Sequence, residues 1–172
     1  MKRLNVLLAL VLALGLTLPS AVMAQETIKI GAFFALSGPA AFIGAPTELV
    51  AKMVVDKINE EGGINGTPLE LVTADTEGEA TGAVMAFKRF TSVDGVKAII
   101  GPTRTGTGMA VKKQIEEAQI PTVMTVGGDP VIMEGMHGDK DFGTAKYVFK
   151  APQRSSTAVT KVLEYLKAQG MT

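Results

Sequence analysis

The chain has no cysteine and no tryptophan, a single histidine (His137), and aromatic residues at only 5% of its 172 positions. Without cysteine there are no disulfide staples, so burial of apolar side chains alone must hold the fold. One histidine and no thiol exclude a metal site built from those ligands. Formal net charge is zero; when Lys2 and Arg3 are set aside with the leader described below, the 17 basic residues fall to 15 against 17 acidic, a net of −2. That balance provides neither a basic field for nucleic acid nor a polybasic patch for a membrane surface. Catalytic signatures are missing too. No G-x-G-x-x-G follows the first strand, no G-x-x-x-x-G-K-[ST] occurs, and no G-x-S-x-G elbow is present, so neither cofactor nor nucleophile is signalled.

What is present begins with an address label. Met1-Lys2-Arg3 is cationic, Leu4 to Leu18 is an uncharged run of mostly Leu, Val and Ala, and Pro19-Ser20 breaks it before Ala21-Val22-Met23-Ala24. Short side chains at Val22 and Ala24 fit the cleavage rule for a secretory leader, with the mature chain starting at Gln25. The run of about 15 residues is short of the ~20 that span a bilayer. Export to the periplasm is therefore expected. Hydrophobic residues at 47% and charged residues at 20% supply the material of a folded core.

From Gln25 onward the pattern alternates strand and helix. Thr27–Phe34 reads as a strand covered on both faces, and Glu48–Glu60 as a helix with Val50, Met53, Val54 and Ile58 facing in and a stop at Gly62-Gly63. Strands follow at Pro68–Ala74, Val96–Ile100, Pro121–Val126 and Tyr147–Lys150. The intervening helices run over Ala80–Phe90, with Val84, Phe87 and Phe90 inward, and Thr105–Ala118, with Val111, Ile115 and Ala118 inward. A last helix, Ser155–Gln169, carries Val159, Val162, Leu163 and Leu166 on one side. Repeated strand-helix-strand units predict an α/β fold, a Rossmann-like, doubly wound parallel sheet with helices on both faces. Methionines such as Met53, Met85 and Met109 fall at core spacing and read as gap fillers.

Ligands of such sheets bind beyond the carboxyl ends of the strands, near the point where strand order reverses. Three loops leave strand ends there: Leu36–Pro39, Gly101–Gly108 and Thr125–Pro130. The second opens directly into a helix, which leaves backbone N–H groups near Thr105 and Gly106 free to meet an anion. Hydroxyls of Ser37, Thr103 and Thr105 add donors. Each loop by itself is better explained by plain capping and turning, the usual work of these residue types, whereas three together point to a site. His137, between Gly135 and Gly138-Asp139, reads as a solvated turn. Glu60-Glu61 and Glu116-Glu117 point apart on their helices and read as surface.

The segments IKIGAFFALSGPAAFIG (28–44), NEEGGING (59–66), VKAIIGPTRTGTGMAV (96–111), IPTVMTVGGDP (120–130) and YVFKAPQRS (147–155) together resemble the branched-chain amino-acid-binding family of periplasmic receptors. These are the type I substrate-binding proteins of ATP-driven importers. The resemblance runs through essentially all of the mature chain. It implies that residues 25–150 form the N-terminal ligand-binding lobe, with Ala151–Arg154 as a crossover and the rest of 151–172 as the first helix of a truncated second lobe. It also implies that Thr105 and Gly106 hold a ligand carboxylate, that the Val126 carbonyl in the loop with Gly127 and Gly128 accepts from an ammonium group, and that Ile43 stands where an aromatic residue often packs on the ligand.

Two departures bear on the ligand. Gly128 stands where the family's amino-acid binders often carry a hydroxyl, and Arg104 adds a cation to a loop of small polar residues. Both favour an amino acid relative or small carboxylate that is more anionic than a zwitterion, with Arg104 directed either at that ligand or at solvent. On the same reading a threonine at 128 should favour zwitterionic amino acids. The function implied is that of an extracytoplasmic solute receptor delivering its ligand to the membrane permease of an ABC-type importer, with no chemistry and no cofactor or metal. A periplasmic sensor domain of the same fold is the alternative, and an α/β-hydrolase-like enzyme is remote for want of a nucleophile.

Overall fold

The structure is a computed structural model that describes residues 26–133 and 145–171. The leader and His137 lie outside the described residues. Five strands, β1 (Ile28–Phe34), β2 (Leu69–Asp75), β3 (Ala98–Ile100), β4 (Thr122–Met124) and β5 (Val148–Lys150), form one sheet in the order β2-β1-β3-β4-β5. Every pairing is parallel, with Ile30 of β1 opposite both Leu71 and Ala98, and Thr122 opposite both Ile99 and Val148. The order reverses between β1 and β3, as expected for a doubly wound sheet.

Among the described residues, four α-helices accompany the sheet: α1 (Ala41–Glu60), α2 (Ala80–Arg89), α3 (Thr105–Ala118) and α4 (Ser155–Ala168). Strand side chains alternate between faces, and the two cores divide accordingly. Phe33, Ile99, Met124 and Val148 pack with Phe87, Phe90, Val111 and Ile115 from the α2–α3 side, whereas Ala32 and Phe34 pack with Ala51 of α1 on the other. Burial of the large residues of the first group stabilises the fold by about 1.5–3 kcal/mol each. The rings of Phe33 and Phe90 lie 5.9 Å apart, tilted by 48°, within the range where aromatic edges and faces attract.

Helix α1 corrects two expectations. It starts at Ala41 rather than Glu48 and carries Pro46 inside it; Pro46 lies early enough that its missing N–H removes one bond of a long helix. Its buried residues are Gly44, Ala51 and Val55, while Val50, Met53 and Val54 are more than half exposed. The small residues let the helix backbone settle onto the sheet: a Cβ on Gly44 would lie 2.0 Å from the Ala35 carbonyl oxygen. Val50, Val54 and Ile58 then line an apolar groove of about 430 Å³ with Ile100 and Val123 of the sheet. Met53 and Met85 are likewise exposed rather than gap fillers, whereas Met109 packs against the core.

Helix α3 is held at its far end by an acid. The Glu116 carboxylate accepts the backbone N–H groups of Lys146 (3.0 Å), Tyr147 (2.9 Å) and Val148 (3.1 Å), which fixes the start of β5. Helix α4 buries none of its residues, and Val159, Val162 and Leu163 are exposed. Among the described residues no helix is long and apolar enough to cross a membrane, and no group of acids and histidines could hold a metal ion.

Candidate functional site

The crevice at the β1/β3 reversal is built by loops that lock one another. Beyond β1, the Ala35 N–H donates to the Thr103 hydroxyl at 3.1 Å, so Thr103, 7% exposed, braces the crevice wall. Beyond β3, Gly101 has φ +103° and sits so close to β1 that a Cβ would lie 2.2 Å from the Phe33 carbonyl oxygen; only glycine fits there. Thr125 beyond β4 donates its hydroxyl to the Pro102 carbonyl at 3.0 Å. The loops after β3 and β4 are thereby stitched together.

Asp75 at the end of β2 organises the first loop. One of its carboxylate oxygens accepts from the backbone N–H groups of Leu36 (2.9 Å), Ser37 (3.3 Å) and Glu77 (2.7 Å). Partial desolvation works to raise the Asp75 pKa, but the Ser37 hydroxyl and these three amides outweigh it and hold the carboxyl below its ordinary value. Ser37 itself is exposed, as is Ile43 in the first turn of α1.

The start of α3 presents the groups suited to an anion. Its N-cap position, Arg104, gives no side-chain cap, and among the described residues the amides of Thr105, Gly106 and Thr107 have no acceptor. These open N–H groups and the positive end of the helix dipole attract negative charge. Gly106 faces open space. The Thr105 hydroxyl accepts from the Gly128 N–H at 3.1 Å, which leaves its own proton to donate elsewhere. Gly128 has ordinary extended backbone, so it is glycine for room: a Cβ there would lie 2.5 Å from Thr105 Cγ2. A threonine at 128 would therefore displace Thr105 rather than simply supply a hydroxyl.

Arg104 is tethered to a neighbouring loop while its side chain stays half in solvent. Its guanidinium donates to the Gly78 carbonyl at 3.2 Å and lies 3.9 Å from Glu79, at the loop before α2, with its side chain half exposed. The third loop is equally committed. Val126 places its side chain in the core, and its carbonyl accepts no bond among the described residues. The Gly127 carbonyl accepts from Lys150 Nζ (2.8 Å) and the Ser155 hydroxyl (2.6 Å).

Three residues that the sequence reading did not assign to the site thus brace it: Asp75, Asp129 and Lys150. The Asp129 carboxylate accepts the N–H groups of Ser155 and Ser156, each at 3.0 Å, and pairs with Lys150 at 3.2 Å. The Ser156 amide is the main cause that holds Asp129 well below the usual carboxylate range; desolvation opposes it, and the Ser156 hydroxyl, the Ser155 amide and Lys150 reinforce it. Apart from Glu77, two positions from Asp75, these partners lie 21 to 39 positions apart, and no local sequence pattern marks them.

Residues 27–172 match the family model described as periplasmic binding protein. The Leu/Ile/Val-binding protein BraC3 of Rhizobium johnstonii is 34% identical over 101 residues, 59% of this chain and 27% of its own length. A Leu/Ile/Val-binding protein homolog 3 of Brucella melitensis is 31% identical over 118 residues, 69% of this chain and 32% of its own. Among solved structures, the branched-chain amino acid transporter substrate binding protein LivJ of Streptococcus pneumoniae, in complex with isoleucine, superposes with a TM-score of 0.67 at 28% identity, over 76% of this chain and 35% of that one. A periplasmic binding protein type 1 from Bordetella pertussis gives 0.70 at 25% identity, over 80% and 38%. The chain spans about a quarter to a third of the length of the curated relatives it matches.

Proposed function

Because this chain belongs to the periplasmic binding protein family, a family of solute-binding rather than catalytic proteins, we propose that it contributes the carboxylate-binding half of an extracytoplasmic receptor. Its ligand is a branched-chain amino acid or a related small carboxylate, and its partner is the membrane permease of an ABC-type importer. The observation that carries this reading is the uncapped start of α3 at the strand-order reversal, where Gly128 leaves the Thr105 hydroxyl free to donate beside the open amide of Gly106. A carboxylate placed there meets charge-assisted hydrogen bonds. The relatives named for Leu, Ile and Val and the isoleucine complex support the ligand class.

The loop after β4 weighs on the ligand's other end. Gly127 spends its carbonyl on Lys150 and Ser155, Asp129 is occupied by α4, and residue 128 has no side chain, whereas the Val126 carbonyl accepts no bond among the described residues and serves as the acceptor for an ammonium group. The carboxylate therefore contributes more to binding than the ammonium. Calorimetric titration with isoleucine and with its deaminated analogue, 3-methylpentanoate, tests this: affinities within about tenfold are expected. A deaminated analogue bound more than a hundredfold more weakly would overturn the ligand preference. A Thr105→Val variant with unchanged affinity for both would place the site elsewhere. Export with cleavage after Ala24 is checked by N-terminal sequencing of the periplasmic protein.

A further inference from the structure

The first turn of α4 is capped from a distance. Its own N-cap position, Arg154, supplies no side-chain bond, and the amides of Ser155 and Ser156 are instead taken by Asp129, 26 and 27 positions earlier. A serine or aspartate at 154 would satisfy such amides locally and tie the helix to nothing. Lys150 makes the tie stronger. Its side chain is 2% exposed, and its ammonium is shared among the Gly127 carbonyl, the Asp129 carboxylate and the Gln153 carbonyl (2.6 Å). A buried ammonium with all three protons placed resists movement of any one partner, because losing a partner leaves a charge unpaired out of water. On its other side the same loop donates the Gly128 N–H to Thr105.

We infer that Asp129 and Lys150 are positioning residues that join the loop 126–128 and the first turn of α4 into one unit, so that the setting of Thr105 and the direction in which α4 leaves the sheet are fixed together. A ligand on Thr105 is then felt by α4, and displacement of α4 is felt at Thr105. Only this last consequence rests on the proposed ligand site; the unit itself rests on the bonds.

The test is amide hydrogen exchange by NMR on the whole chain, comparing the parent with Lys150→Met and Lys150→Arg. In Lys150→Met, the amides of Gly128, Ser155 and Ser156 should all exchange at least tenfold faster while Ile99 in the sheet keeps its protection, and Lys150→Arg should restore most of the loss. Faster exchange at Ser155 and Ser156 with Gly128 unchanged would overturn the coupling. If Lys150→Met does not fold, as read by circular dichroism, Asp129→Asn replaces it with the same expected and overturning results. Isoleucine titrated into the same proteins gives the second arm: a fivefold or greater weakening in Lys150→Met is expected, and equal affinity would refute transmission to the site. A parent chain that binds no isoleucine counts against the proposed ligand alone, and the exchange comparison still decides the coupling.

Discussion

A methyl group added to Gly128 is a sharp probe of the site, because the backbone there (φ −73°, ψ 137°) suits alanine as well as glycine. The entire penalty of Gly128→Ala falls on one neighbour: the new carbon would lie 2.5 Å from Thr105 Cγ2 and 2.9 Å from Oγ1. Either the loop shifts, at the roughly 1–3 kcal/mol typical of overpacking, or Thr105 rotates and gives up the Gly128 N–H bond, worth about 1 kcal/mol. Thr105→Ala alone removes the acceptor and is expected to destabilise by about 1 kcal/mol. In the double variant the clash disappears apart from a 3.3 Å contact with the remaining Cβ, and the lost hydrogen bond counts only once. The double variant should therefore fall short of the sum of the singles by about 1 kcal/mol or more. Urea unfolding of the four proteins, compared at constant m-value, gives this difference. Additivity within about 0.5 kcal/mol, as for unconnected sites, would show that Thr105 does not occupy the space beside residue 128.

Thr103→Val keeps the shape of the side chain but strips the buried Ala35 N–H of its acceptor, and thermal unfolding should show a loss of about 1–3 kcal/mol. Glu116→Ala leaves three amides at the start of β5 without their carboxylate; a loss of about 2–4 kcal/mol is expected, partly recovered by Glu116→Gln, since bonds to a charged acceptor carry about 1.5–3 kcal/mol each and water replaces some of them. The depressed pKa of Asp129 stabilises the fold at pH above the unfolded carboxyl value near ~3.9, and that contribution is lost as pH falls through the lower folded value. The stability difference between the parent and Asp129→Asn should hold level from about pH 8 to 5 and shrink below about pH 4; a difference that grows on acidification contradicts the assignment.

The sheet and its order of strands and helices were legible because each strand is an apolar run and each boundary carries Gly, Pro or a hydroxyl residue. The start of α1 was not, since Pro46 reads as a barrier although its position early in a 20-residue helix lets it be absorbed. Nor was the buried face of α1. Periodicity ranks a helix by its large side chains, whereas contact with this sheet is made by Gly44, Ala51 and Val55, which permit close approach. At the site, the loops carrying Thr105, Gly106 and Gly128 were marked by composition and strand-end position, and the bond between Thr105 and Gly128 joins two of them. The burial of Thr103 and the tether of Arg104 to Gly78 depend on neighbours distant in sequence, and no local pattern encodes them.

Helix α3 is anchored at both ends to parts of the chain that it does not adjoin, through Thr105 to the loop after β4 and through Glu116 to the first residues of β5. Fourteen residues at 1.5 Å each make a beam of about 21 Å. A beam fixed at two supports cannot tilt at one of them alone. Loosening the start of β5, at the opposite end of the strands from the crevice mouth, would swing the amides of Thr105 and Gly106 off their aim without any substitution in the crevice itself. Affinity should thus be sensitive to repairs and injuries at the strand's amino end, where no ligand ever arrives.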